Sequence, residues 1–112
     1  MAITVQALDS VYGRAAAGVR ATLEQVDNGH WQATVDAVTD RDGYIKEWGG
    51  RQLKRGLYRI VLDSGYYFVG LGLSAAYPEI SVVFRIENEV DTYQIQVLLS
   101  PHSYSAYLGS SN

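Results

Sequence analysis

Two histidines, His30 and His102, are the only imidazoles in this 112-residue chain, and it has no cysteine. Thiolate nucleophiles, thiolate metal sites and disulfides are thereby excluded. His30 sits in a hairpin beside Trp31 and His102 in the turn after Pro101. Both read as surface residues, and neither a metal nor a cofactor is expected. Asp9 and Asp63 each follow an apolar stretch and precede a turn, and Asp42 stands before Gly43. Carboxylates in such places usually accept hydrogen bonds from nearby backbone N–H groups, a structural use rather than a catalytic one. Glu79, directly after Pro78, reads as the holder of a loop or of a subunit contact. Chemistry is left to amides, hydroxyls and phenols, and the nine tyrosines are a high count. Tyrosine favours strands, and it favours interfaces where the ring is buried and the hydroxyl finds a partner.

The elements that must position such groups are bounded by size and composition. At 47% hydrophobic and 19% charged the chain is globular in character, and its length suits one domain spanning residues 1–112. The net charge of −3 is dispersed and no basic cluster is present, so nucleic acid is not an expected partner. No apolar run approaches the ~20 residues that span a bilayer, and no membrane association is expected. No secretory pattern follows Met1, which points to a cytoplasmic protein if Met1 is the natural start.

Period-two alternation predicts strands over 3–8, 19–25, 31–38, 44–45, 57–62, 80–86, 92–99 and 104–108. Asp27-Asn-Gly and Asp42-Gly43 are turn signals between them. After residue 62, Asp63 or Ser64 is placed to cap a short helix through Tyr66, Phe68 and Leu71, ending near Gly72. Seven or eight short strands with one brief helix predict an all-β, antiparallel two-sheet sandwich.

Six fragments, in order and spacing, carry a resemblance. Gln6-Ala-Leu-Asp9 with Gly13 and Ala16-Ala-Gly-Val19, Asp42-Gly43, Gly56-Leu-Tyr58, Tyr67-Phe68, Tyr77-Pro-Glu-Ile80, and Tyr93 followed by Leu98-Leu-Ser-Pro101 together resemble the transthyretin and 5-hydroxyisourate hydrolase family over nearly the whole chain. The resemblance implies a transthyretin-like β-sandwich and a homotetramer, a dimer of dimers, with a central channel. It also implies which residues line that channel: Gln6, Tyr44, Gln94 and, from the terminal segment, Tyr107, Leu108 and Ser110.

The hydrolase pattern reads His-Val-Leu-Asp near the start, Asp-Gly-Arg in the middle, His-Tyr-His before Leu-Leu-Ser-Pro, and Tyr-Arg-Gly-Ser at the end. Here the first histidine is Gln6, the arginine after Asp-Gly is Tyr44, the two histidines around Tyr93 are Thr92 and Gln94, and the terminal arginine is Leu108. Hydrolysis of a cyclic acyl-urea bond needs a group that activates water and donors for the developing oxyanion. A glutamine amide donates and accepts hydrogen bonds without titrating near neutral pH, so Gln6 and Gln94 can orient a ligand but not shuttle protons. With no cation at the matching positions, the resemblance implies a polar, uncharged channel suited to a less charged ligand. Gln6, Tyr44, Gln94 and Ser110 are then the candidate catalytic residues, and the same set with Tyr107 and Leu108 binds substrate. Three readings follow: a repurposed cyclase, isomerase or hydrolase acting on a small heterocyclic molecule, 5-hydroxyisourate hydrolysis itself, or a non-catalytic small-molecule carrier.

Overall fold

Along the first strand, every second side chain is buried, and this simple alternation decides which groups face the outside. In the computed structural model, which describes residues 2–49, 53–88 and 92–111, β1 (Ala2–Asp9) buries Ile3, Val5, Ala7 and Asp9 while Thr4, Gln6 and Leu8 face the other way. The remaining elements are β2 (Arg14–Ala15), β3 (Arg20–Asp27), β4 (His30–Val38), β5 (Tyr44–Ile45), β6 (Gly56–Leu62), α1 (Ser64–Gly70), β7 (Ile80–Ile86), β8 (Thr92–Leu99) and β9 (Tyr104–Ser111). Met1, on which the cytoplasmic expectation rests, lies outside the described residues.

Two sheets form. One runs β2-β1-β8-β9 with β5 also paired to β1, and the other runs β4-β3-β6-β7. Their inner faces supply the core: Ile95, Val97 and Leu99 from β8 meet Leu23 of β3, Tyr58, Ile60 and Leu62 of β6, Phe84 and Ile86 of β7, and Phe68 of the helix. Each such side chain, fully buried, contributes roughly 1.5–3 kcal/mol. Tyr58 stacks on Phe84 with ring centroids 5.7 Å apart, and its hydroxyl bonds the Lys54 backbone. Trp48 Nε1 donates to the Ile3 carbonyl at 3.1 Å, fixing the segment after β5 against β1.

The sandwich and its short helix agree with expectation, and three details differ. Nine strands are described rather than seven or eight, because Arg14–Ala15, which reads as turn in the sequence, pairs with the end of β1. The sandwich is not wholly antiparallel: β1 and β8 run parallel, with Gln6 beside Gln96. Asp63 is the helix N-cap residue, yet its carboxylate makes no capping bond, and the Gly65 N–H donates instead to the Pro78 carbonyl at 3.0 Å. The Asp27–Gly29 hairpin behaves as its residues require, with Asn28 at φ 52° and Gly29 at 77°, the left-handed pair that closes a two-residue turn.

Candidate functional site

The outer face of the five-stranded sheet carries most of the residues singled out above. Because side chains alternate along a strand and paired residues share a face, the register places Gln6 beside Gln96 of β8 and Tyr44 of β5. Gln96 in turn faces Tyr107 of β9. Gln94 shares this face one pair further along, between Thr4 and Gly109. Gln96 Nε2 donates to Gln6 Oε1 at 3.1 Å, and Gln6 Nε2 donates to the Asp42 carbonyl at a longer 3.4 Å. The two amides thus form a linked pair that still presents Gln96 Oε1 as acceptor and unused N–H groups as donors.

Tyr107 is 67% exposed. Its ring folds back over Gly109, where an added Cβ would lie 3.0 Å from Tyr107 Cε1, so the missing side chain lets the phenol lie along the sheet toward Gln94. Leu108 and Ser110 do not join this group. They pair with Ile95 and Tyr93, whose side chains point into the core, so alternation turns both to the opposite face of β9. Their expected convergence with Gln6 is therefore corrected within one chain.

Gln96 was missed in the sequence, although its signal is present there, since it stands two residues after Gln94 and must share its face. Arg14 was missed too. A cavity of about 550 Å³ opens at the end of this face and is lined by Gln6, Leu8, Leu98, Ser10, Arg14 and Asp42, among others. Lys46 lies over the Tyr44 ring, 4.8 Å from its centroid. The lining expected to be uncharged is thus bordered by two cations.

The turn acids are used as expected at one place and not at another. Asp9, only 1% exposed, accepts from the Val11 and Tyr12 N–H groups at 2.8 and 3.1 Å and from the Tyr67 hydroxyl at 2.7 Å. In the turn before β5 it is Asp40 that accepts, from the N–H groups of Asp42 and Tyr44, both at 2.9 Å, whereas Asp42 offers its carbonyl to Gln6. Among the described residues no three His, Cys, Asp or Glu side chains form a group able to hold a metal, and no helix is long and apolar enough to cross a membrane.

Burial, reinforced by the hydrogen bond to Asp9 and by its charge, pushes the Tyr67 phenol from 10.0 up to about 12, with Arg14 opposing the rise. A raised folded value means that the bond's stabilisation is complete below the unfolded value and is lost as pH climbs through the folded one. Wild type should therefore exceed Tyr67→Phe by about 1–2 kcal/mol below pH ~10, with the gap closing as pH rises toward about 12. Urea unfolding of both proteins across this range tests it, and a gap independent of pH would contradict it.

Comparison with known proteins gives a consistent result. The HIUase/Transthyretin family model matches residues 3–109. The 5-hydroxyisourate hydrolase of Salmonella typhimurium is 37% identical over 109 residues, covering 96% of this chain and 80% of its own length. The mouse enzyme of that name is 31% identical, covering 96% and 94%. Among solved structures, sea bream transthyretin in complex with thyroxine superposes with a TM-score of 0.90 at 29% identity, covering 97% of this chain and 95% of that one.

Proposed function

This chain belongs to the HIUase/transthyretin family, and on that footing we propose that its outer sheet face binds and transforms a small heterocyclic molecule in a channel shared by the copies of a homotetramer. The observation that carries this reading is the linked amide pair, half-buried Gln6 and exposed Gln96, lying between two phenols, Tyr44 and Tyr107. Paired amides offer adjacent donors and acceptors, a match for a ring that alternates N–H and C=O groups, and tyrosines supply flat apolar area with a polar tip. Gln94 extends the same row.

Assembly is part of the proposal. Strands β7 and β9 are sheet edges, and eight-residue β9 offers a long row of unpaired backbone groups that a second copy would satisfy. Opposed faces from several copies would then enclose the row. Turnover in such a site rests on positioning, since holding a reactant in its near-attack geometry can lower a barrier by as much as ~7–11 kcal/mol without a titrating group. Cyclisation, isomerisation and ring opening are the reaction types that fit.

The second reading, 5-hydroxyisourate hydrolysis, is favoured by the 37% identity to the Salmonella enzyme. Against it stands the replacement of the proton-transferring histidines implied by the family pattern, a loss worth typically ~10²–10⁴ in rate. Stopped-flow measurement separates the two. A kcat/KM for 5-hydroxyisourate above ~10⁴ M⁻¹s⁻¹, ordinary for an enzyme on its own substrate, puts hydrolysis first.

For the proposed site, Gln94→Leu and Gln96→Leu should each weaken binding of a neutral cyclic ureide such as hydantoin by about 1–3 kcal/mol. Sedimentation should remain tetrameric. Unchanged affinity in both variants, or a stable wild-type monomer at micromolar concentration, would count against the channel.

A further inference from the structure

The four-stranded sheet, on the other side of the core from the amide pair, carries charged groups on its own outer face. Register and alternation decide which they are. Ala21, Leu62 and Ile80 pair across β3, β6 and β7 with their side chains in the core, so Arg20, Asp63 and Glu79, each one residue further on, turn outward side by side. The Asp63 N–H donates to the Arg20 carbonyl at 2.9 Å, which keeps these two in step. A cavity of about 360 Å³ opens among them, walled by Arg20, Asp63, Glu79 and Pro78 and floored by half-buried Thr22 and Val61. The Pro78 side of it is fixed, because the Gly65 N–H donates to the Pro78 carbonyl at 3.0 Å and a Cβ on Gly65 would lie 2.5 Å from that oxygen. A wall held so closely needs little ordering when a ligand arrives.

Opposite charges face each other across β3 and β6 twice on this side, with different outcomes. At Glu24 and Arg59 the guanidinium closes on the carboxylate, Nε to Oε1 at 2.6 Å. At Arg20 and Asp63 no such bond forms, and both side chains line the cavity instead. Among the described residues neither of them, nor Glu79, has a side-chain hydrogen-bond or ion-pair partner, and Asp63 makes no capping bond to the helix it precedes. The neighbouring acid, Asp36, is already engaged by the Thr22 hydroxyl at 2.6 Å. Two carboxylates disfavour a simple anion here, and the guanidinium beside them disfavours a metal ion. A molecule that carries an ammonium and a carboxylate together answers both signs.

We propose that this cavity binds a free α-amino acid with a short aliphatic side chain, its carboxylate on Arg20, its ammonium between Asp63 and Glu79, and its side chain over Val61. The fixed fork of arginine meets both oxygens of a carboxylate at once, and the three donors of an ammonium suit two carboxylates. Neighbouring strands lie about 4.8 Å apart, so groups on adjacent strands reach two charges borne by one carbon. A second cavity of about 330 Å³ shares Thr22, Val61 and Glu79 with the first and continues to Ser81, which leaves room for the side chain. The site lies on the opposite sheet from Gln6 and Gln96 and is independent of the ring-binding reading.

The test uses L-leucine and two analogues that each lack one charge, 4-methylpentanoate without the ammonium and 3-methylbutylamine without the carboxylate. Each is titrated calorimetrically into wild type, Arg20→Gln, Asp63→Asn and Gln96→Leu. Wild type should bind leucine with a Kd of about 1 mM or tighter, at least about tenfold tighter than either analogue. Arg20→Gln should reduce leucine to the level of 3-methylbutylamine. Asp63→Asn should weaken leucine and 3-methylbutylamine while sparing 4-methylpentanoate. Gln96→Leu, on the other sheet, should leave leucine binding unchanged. The wild-type ranking decides without any variant: no leucine binding at about 10 mM, or an analogue that binds as tightly as leucine, overturns the site. So does an advantage of leucine over 3-methylbutylamine that survives in Arg20→Gln, or a loss of leucine binding in Gln96→Leu, which would place the amino acid on the amide face.

Discussion

Gly43→Ala should lower the melting temperature by roughly 10–15 °C, corresponding to about 3 kcal/mol or more in a domain of this size. Gly43 sits at φ +82°, where an L side chain costs roughly 1–2 kcal/mol from backbone sterics alone. Space adds to the cost, because a Cβ there would lie 2.4 Å from the Ala7 carbonyl oxygen and 3.3 Å from Ala15 Cβ. That oxygen cannot retreat freely, since it accepts the Ala16 N–H at 2.9 Å while the Ala7 N–H donates to the Gly43 carbonyl at 2.8 Å. The turn must lift from β1, and the lift displaces the Asp42 carbonyl bonded to Gln6 and the start of β5 that sets Tyr44. Ligand affinity should fall with stability. Gly70→Ala is the control: nothing lies within 4 Å of its added Cβ, and alanine is the better helix former by about 1 kcal/mol. Thermal denaturation of the two variants decides the matter, and a Gly43→Ala protein melting within two or three degrees of wild type, on the order of the effect of a neutral surface change, would mean that the turn is free to slide.

The face that carries the amide pair could be read from the sequence, but the identity of the partners on it could not. Alternation in β1 and β8 separates Ile3, Val5, Ile95 and Val97 from Gln6, Gln94 and Gln96 with no knowledge of the fold. Which glutamine meets Gln6 depends on the parallel register of β1 against β8, and strands so far apart in sequence acquire that register only when the two sheets close on a common core. The resemblance drew notice to Gln94, whereas the bond is made by Gln96. The same one-residue sensitivity governs the terminal strand. Tyr107, Leu108 and Ser110 look equivalent as a string, yet pairing of Gln96 with Tyr107 sends Leu108 and Ser110 to the opposite side.

Local turn chemistry was legible where it acts within a few residues, as at Asp27–Gly29 and at Asp9, and misassigned where tertiary contacts compete. Asp63 stands where a helix cap belongs, but the Gly65 N–H of the first helical turn bonds the Pro78 carbonyl. The close approach of Pro78, whose carbonyl oxygen would be 2.5 Å from a Cβ on Gly65, is a distant contact that no local pattern announces. Arg14 is a similar case. Its neighbours in sequence are turn residues, and only the pairing of β2 with the end of β1 brings it to the cavity that Gln6 lines.

Asp9→Ala should be as damaging as the glycine change, at about 3 kcal/mol, although it removes only a few atoms. The carboxylate receives three bonds, from the Val11 and Tyr12 N–H groups and from the Tyr67 hydroxyl. Hydrogen bonds to a charged group contribute roughly 1.5–3 kcal/mol each, and donors left unpaired in a buried place cost more than the bond was worth. The sum must be discounted here, because Val11 and Tyr12 are themselves exposed and water can reach their N–H groups. Tyr67 has less recourse: its ring packs edge-on against buried Phe68 at 5.1 Å. Asp9→Asn separates charge from shape, since its carbonyl oxygen can still accept from the turn while its amide faces the Tyr67 hydroxyl, which can then turn acceptor. A loss of about 1 kcal/mol is expected for it. Chemical denaturation of the two variants checks this. Equal losses in the two variants would place the stabilisation in the charge of Asp9 rather than in the bonds it accepts.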